Sequence, residues 1–198
     1  ARSYYALKSF KDAVADYTEV IRIQSKPDVA LIERARAHAA LNLFAETIND
    51  FEKAILIESR NLSIVAPELA EAHRLLGEHY FDDSDFSGAV EEFKQALELD
   101  RELAPQVKSS FSQSHYSLGQ EGLKEERLDD AIDHFNQALE IDPTMFLAQV
   151  SRGRCHLQVK AWEAASVDFT AVIDVKPSDS IIHAMALLGR AEVAIAQD

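Results

Sequence analysis

Two short stretches of the chain combine residue types that can do chemistry. Asp83-Ser84-Asp85-Phe86-Ser87-Gly88 opens like a calcium-binding loop, with oxygen-bearing side chains on alternate residues, glycine sixth and apolar Val90 eighth. The twelfth position of such a loop needs a bidentate carboxylate, and here it is Lys94. The stretch therefore reads as a helix start, where Asp and Ser cap free N–H groups and complement the dipole. Arg154-Cys155-His156 sets a thiol beside an imidazole. Neighbouring residues of a helix project about 100° apart, so the two cannot readily pair as nucleophile and base, and Cys155 reads as a small buried residue. The seven histidines form no His-x-x-x-His pair. His73 and His115 fall on apolar stripes and read as packed, hydrogen-bonded core positions. No glycine-rich phosphate loop, nucleophile elbow or paired-cysteine zinc motif is present. The expectation is a chain with no catalytic residues, cofactor or metal.

The elements that carry these residues are helical. Hydrophobic residues make up 47% of 198 residues, while glycine (6) and proline (5) are too scarce for many loops. Ala, Leu, Glu and Lys dominate, which favours helix. The net charge of −14 repels phosphate backbones and anionic membranes, so no nucleic acid and no membrane insertion is expected. One cysteine cannot form an internal disulfide, which fits the cytoplasm or another reducing intracellular compartment. No apolar run reaches membrane-spanning length. With no signal peptide and no initiator methionine, the chain reads as a piece of something longer.

The strongest signal is internal repetition. Ala131…Phe135…Ala138…Pro143 recurs 34 residues later as Ala165…Phe169…Val172…Pro177. It recurs earlier as Ala89…Phe93…Ala96, Thr47…Phe51…Ala54 and Ala13…Tyr17…Val20. A bulky apolar residue stands three positions before each: Phe10, Phe44, Phe86, Leu128 and Trp162. Offsets of three, four and seven define one helical face. A second pattern precedes each helix: Leu76-Gly77, Leu118-Gly119, Arg152-Gly153 and Leu188-Gly189, with Ala35 and Ala1 in the same role. Glycine inside a helix costs about 1 kcal/mol relative to alanine, so its recurrence at one register implies a neighbouring helix too close for a side chain. Each unit is two helices and a short turn, and stacking completes its core.

The units differ in length. Thr47 to Ala89 and Ala89 to Ala131 are each 42 residues apart, against 34 elsewhere. Eight residues are thus inserted twice, near 62–69 and 104–111. Val65, Leu69, His73 and Leu76 match Val107, Phe111, His115 and Leu118, one helical stripe in each case. Both inserts read as roughly two extra N-terminal turns on the first helix of the unit. Pro67 and Pro105 should then sit in first turns, where proline is tolerated. Helices are expected near 8–24, 28–42, 45–59, 66–82, 86–101, 104–123, 128–141, 146–159, 162–175 and 181–196. Residues 1–7 and 182–198 should supply incomplete end units. The last helix should cover Phe169 and Val172 and leave an apolar face open, through which the chain could self-associate.

Leu-Gly followed by Ala-x-x-x-Phe-x-x-Ala and Pro resembles the consensus of the tetratricopeptide repeat (TPR) family, over essentially the whole chain. The resemblance implies an all-α fold, an α-α superhelix forming one solenoid over 1–198. It would comprise about five helix-pair repeats with truncated first and last units and two elongated units, at approximately 1–27, 28–61, 62–103, 104–145, 146–179 and 180–198. It also implies a non-catalytic scaffold or adaptor that binds a peptide or protein segment in a concave groove lined by the first helices. In the family the residue after the small position faces that groove; here these are Arg36, Glu78, Gln120, Arg154 and Arg190. One turn earlier lie Ile32, Arg74, Tyr116, Val150 and Ala186. The predicted peptide-binding residues are Arg36, Arg74, Glu78, Tyr116, Gln120, Arg154 and Arg190. A co-chaperone module is one alternative. The carboxylate clamp of TPR co-chaperones uses Lys and Asn, then Asn, then Lys and Arg. The matching positions here, Ile32 and Arg36, Leu75, then Gln113 and Ser117, do not reproduce it. Residues 70–120 also resemble the interrupted TPRs of histone chaperones, an alternative that would suit basic clients.

Overall fold

The computed structural model describes residues 2–197, with side chains from Ser9 onward, so Ala1 and its predicted role lie outside the described residues. Every regular element described is a helix. The chain divides into two compact units, Ala1–Val107 and Lys108–Asp198. The first holds α1 (Arg2–Ile23), α2 (Asp28–Ala40), α3 (Phe44–Ile57), α4 (Asn61–Asp82), α5 (Phe86–Leu99) and a single 3₁₀ turn at Arg101–Leu103. The helix α6 (Ala104–Lys124) crosses the boundary. The second unit continues with α7 (Leu128–Ile141), α8 (Phe146–Gln158), α9 (Trp162–Val175) and α10 (Ser180–Gln197).

Three-residue turns separate α2 from α3, α4 from α5, α6 from α7 and α8 from α9, and all four have one geometry. The middle residue adopts a left-handed conformation: Asn42, Ser84, Glu126 and Lys160 have φ of 58°, 63°, 60° and 61°. The next residue donates its N–H to the carbonyl five positions back, as Leu43 does to His38 at 3.0 Å and Asp85 to Tyr80 at 2.8 Å. Arg127 to Gly122 and Ala161 to His156 repeat the bond at 2.8 Å. This is the Schellman closure, which glycine usually fills. The sequence offers no glycine at these four positions, and the helices end at Ala40, Asp82, Lys124 and Gln158, within two residues of the expected ends.

The second helices bury one aromatic each: Phe51, Phe93, Phe135 and Phe169. Opposite each ring stands the small residue of the first helix. A methyl group built on Gly77 would meet Phe93 at 2.7 Å, on Gly119 Phe135 at 2.6 Å, and on Gly153 Phe169 at 2.8 Å. Phe169 is also in contact with Gly189, so α8 and α10 both lie against it. In the first pair Ala35 takes this place, buried with Phe51. The recurrent glycine is thus a close-approach position, as its register implied.

Three expectations are changed. The helix expected at 8–24 begins at Arg2, and residues 2–7 are no separate tail, because α1 is continuous through Lys8, the position in register with Asn42. Nothing in Ala6-Leu7-Lys8-Ser9 breaks a helix. The helix expected from 66 begins at Asn61, whose side-chain amide donates to the Ala54 carbonyl at 2.9 Å. Pro67 consequently lies inside α4 beyond its first turn, whereas Pro105 does sit in the first turn of α6. The elongation itself is as read: α4 and α6 have 22 and 21 residues, against 13 in α2 and α8.

The glycine contact is testable in the second unit. Gly119→Ala gains about 1 kcal/mol of helix propensity, yet overpacking a core against a fixed ring costs about 1–3 kcal/mol. Urea denaturation should show a net loss of stability, and Phe135→Leu in the same background should recover part of it rather than add to it.

Candidate protein-interaction surfaces

The second helices carry a polar residue at one fixed register: Asp50, Glu92, His134 and Asp168, spaced by 42, 42 and 34 residues, with the two aspartates buried and Glu92 and His134 half-buried. Each is paired with a first-helix partner. In the short repeats Arg34 donates to both oxygens of Asp50 at 2.7 Å, and Arg152 donates to both of Asp168 at 3.0 and 2.5 Å. Each guanidinium also reaches the preceding second helix, Arg34 to Thr18 at 2.9 Å and Arg152 to Asn136 at 2.8 Å. The fork of arginine suits a buried carboxylate, and the pairing with Asp50 raises the Arg34 pKa. In the elongated repeats Leu76 and Leu118 replace the arginine, and the partner comes from one turn earlier. His73 Nδ1 lies 2.7 Å from Glu92 Oε2, and His115 Nδ1 lies 3.2 Å from His134 Nδ1. Both histidines are buried, as their stripe position implied. The sequence reading missed the Arg–Asp pairs; the signal was Arg-x-x-x-His with Asp sixteen residues after the arginine, present at Arg34 and again at Arg152.

These pairs bear on the chemistry suspected in the sequence. Cys155 is fully buried among Ala131, Phe135, Ala138 and Ala148, and burial pushes its thiol up to about 11. His156 belongs to the Asp168 pair at 3.9 Å instead of to Cys155. Burial, together with the charge of Arg152, lowers its pKa against the pull of Asp168, so the ring is neutral at pH 7 and Arg152 is the cation that answers Asp168. Asp85 caps α5 through its carboxylate, which accepts from Gly88 N–H at 2.9 Å. No group of three or more metal-ligating side chains occurs among the described residues.

The predicted peptide-binding residues fall into distinct states. In the first unit, Arg36 is half-buried and tied to Glu68 at 2.8 Å and Glu33 at 2.6 Å; the bond from Glu68 raises its pKa most. Arg74 is tied to Glu71 at 2.6 Å, which raises its pKa. Glu78 lines a shallow cavity of about 380 Å³ with Leu75, His79, Asp82, Asn42 and Phe44. In the second unit, Tyr116 packs on Phe135 at 5.9 Å between ring centres, and Gln120 donates to Ser151 of α8 at 2.8 Å. Arg154 and Arg190 are exposed and make no ion pair among the described residues. Arg154 borders a hollow of about 120 Å³ with Met185, Leu188, Gly189 and Glu192 of α10. The structure places Arg190 outside that hollow's lining. Of the positions one turn earlier, Ile32, Val150 and Ala186 are buried.

The last helix covers Phe169 and Val172 with Ala186 and Val193, as expected. Its other side shows Ile181, Leu188 and Ile195 at 69%, 62% and 76% exposure. Ala184 and Ala191, also exposed, complete a three-and-four spacing along one stripe. No described helix is long and apolar enough to cross a membrane.

The Asp168 pair yields a stability test. Asp168→Leu strands the Arg152 guanidinium and should cost about 3 kcal/mol, whereas Arg152→Leu with Asp168→Leu should restore most of it. Chemical denaturation of the single and double variants decides between the two.

The tetratricopeptide repeat profile matches residues 74–146 and 116–169. No curated sequence matches the chain significantly. Solved structures similar to it include the TPR domain of Arabidopsis OM64 (16% identity, 65% of this chain and 96% of that one, TM-score 0.39). The TPR2AB domain of yeast Sti1, in complex with an Hsp90 peptide, is 20% identical over 98% and 80% of the two chains, with a TM-score of 0.39. YrrB, a TPR protein with an unusual peptide-binding site, is 20% identical over 94% and 86%, with a TM-score of 0.38. The matched profile leads to one conclusion: residues 74–169 are repeats of the tetratricopeptide family, preceded by the in-register helix pair α2–α3 and followed by α10.

Proposed function

We propose that the chain is a non-catalytic scaffold that holds an extended or helical segment of another protein, and that Arg154 and Arg190 carry part of that contact. The supporting observation is the contrast among the arginines. Arg34 and Arg152 answer buried aspartates, and Arg36 and Arg74 are neutralised by their own glutamates, while Arg154 and Arg190 are exposed and unanswered among the described residues. Around Arg154, Met185 and Leu188 supply apolar surface, so the ligand class is a segment with an acidic side chain beside an apolar one. Tyr116 and Gln120, fixed to Phe135 and Ser151, would present rigid edges to it. Arg36, Arg74 and Glu78 have a lesser role in this reading, since recruiting either arginine means breaking its existing pairs. The single buried cysteine suits a reducing compartment. Once a partner segment is captured by affinity purification, Arg154→Glu with Arg190→Glu should weaken it by well over tenfold with circular dichroism and melting unchanged. Retention of full affinity would overturn the assignment.

A second reading rests on the α10 stripe. Ile181, Ala184, Leu188, Ala191 and Ile195 follow the spacing of a coiled-coil seam. We infer that two copies of the chain associate through it. Sedimentation velocity should show a concentration-dependent dimer that Leu188→Glu abolishes; a monomer at high concentration would remove this reading.

A further inference from the structure

A cleft in the first unit lies away from the predicted peptide-binding residues. It measures about 590 Å³ and runs between α3 and α5, floored by α4. The wall from α3 is Glu52, Ile55 and Leu56; the floor is Leu69 and His73; the wall from α5 is Gln95, Glu98 and Leu99. The volume lies in the range of sites that bind compact ligands or anchor side chains.

We propose that this cleft is a second docking site, for a basic amphipathic peptide segment that seats a bulky apolar side chain between α3 and α5 and places lysine or arginine against their carboxylates. The apolar part of the inference rests on Leu56, 86% exposed on one wall, facing a cleft whose remaining apolar lining is Ile55, Leu69 and Leu99. An exposed leucine alone is ordinary; one on the wall of an apolar cleft is an anchor position. The charge part rests on the lining. Glu52 and Glu98 are exposed, stand on opposite walls, and make no ion pair among the described residues. Glu92, next to this cleft on α5, is already committed to His73. Lys53 and Lys94 belong to the same helices but do not line the cleft. Apart from His73, which Glu92 answers, the ionisable side chains of the lining are therefore the carboxylates of Glu52 and Glu98, in a protein whose net charge of −14 also draws cations by long-range attraction. An acidic segment would meet repulsion from both walls, and an apolar segment without charge would leave both carboxylates facing it unanswered.

The site is independent of Arg154 and Arg190, which belong to the other unit, so the two readings fail separately. The test uses the intact chain and fluorescein-labelled synthetic peptides with one leucine face and one lysine face, read by fluorescence anisotropy. Leu56→Ser should weaken binding, and Glu52→Gln with Glu98→Gln should weaken it by about tenfold or more. All three side chains are exposed, so folding should survive, and circular dichroism confirms it. Asp133→Asn with Glu140→Gln, an equal loss of charge on α7, should leave binding intact, as should Arg154→Glu with Arg190→Glu. If the α7 variant loses as much as the cleft variant, the attraction is diffuse and the proposal falls. It also falls if a leucine–glutamate peptide binds as well as the leucine–lysine one, or if Leu56→Ser has no effect.

Discussion

The architecture depends on one contact: the ring of a buried phenylalanine packed against a residue without a side chain. Gly77 on Phe93, Gly119 on Phe135 and Gly153 on Phe169 bring the two helices of each pair closer than any other residue at that position would permit. Glycine weakens its own helix, by about 1 kcal/mol, and the ring fills the space it vacates. The consequence is a fixed separation and a fixed rotation of the pair. Everything else in the repeat, including which side chains remain outside, follows from that rotation. Arg154, Glu78, Gln120 and Arg190 each stand one residue past the glycine, and their helical phase relative to the core is set by the ring beneath.

The repeat, the helical class and the two elongated first helices were legible because they rest on period. Hydrophobic spacing of three and four residues reports the buried face whatever the neighbours do, and a 42-residue interval against one of 34 reports the insertion directly. The residue-level details were not. The turns close on Asn42, Ser84, Glu126 and Lys160, of which only asparagine favours the left-handed backbone by itself. The start of α4 was missed because Pro67 looked like a first-turn residue, while Asn61, six positions earlier, secures the helix through a tertiary bond to Ala54. The surface reading had the same limit. The sequence places Arg36, Arg74 and Arg154 on the groove face; the Glu71–Arg74 pair is local, at i,i+3 spacing, but only tertiary structure shows that Arg36 is occupied by Glu68, 32 residues away.

The two functional readings follow from the same separation of roles. Short repeats use arginine internally, as cement for a buried aspartate, and elongated repeats use histidine. The charges left over for partners differ accordingly between the units: unanswered arginines in the second, unanswered glutamates around an apolar cleft in the first. A scaffold of this kind recognises partners by what its own folding has not consumed.

The varying cement at one register has a further consequence for how a repetitive chain avoids misassembly. Tandem units of similar shape can dock on the wrong neighbour during folding, and nothing in the phenylalanine–glycine contact forbids it, since three of the pairs share it and the first differs only by a methyl group at Ala35. The buried pairs do discriminate. A first helix bringing Arg34 or Arg152 against His134 would bury a guanidinium without its carboxylate, and His115 against Asp168 would leave the aspartate without its fork. The Arg–Asp pairs of the short repeats and the histidine pairs of the elongated ones thus act as differently cut keys, so short and elongated repeats are kept apart by charge as well as by chain connectivity.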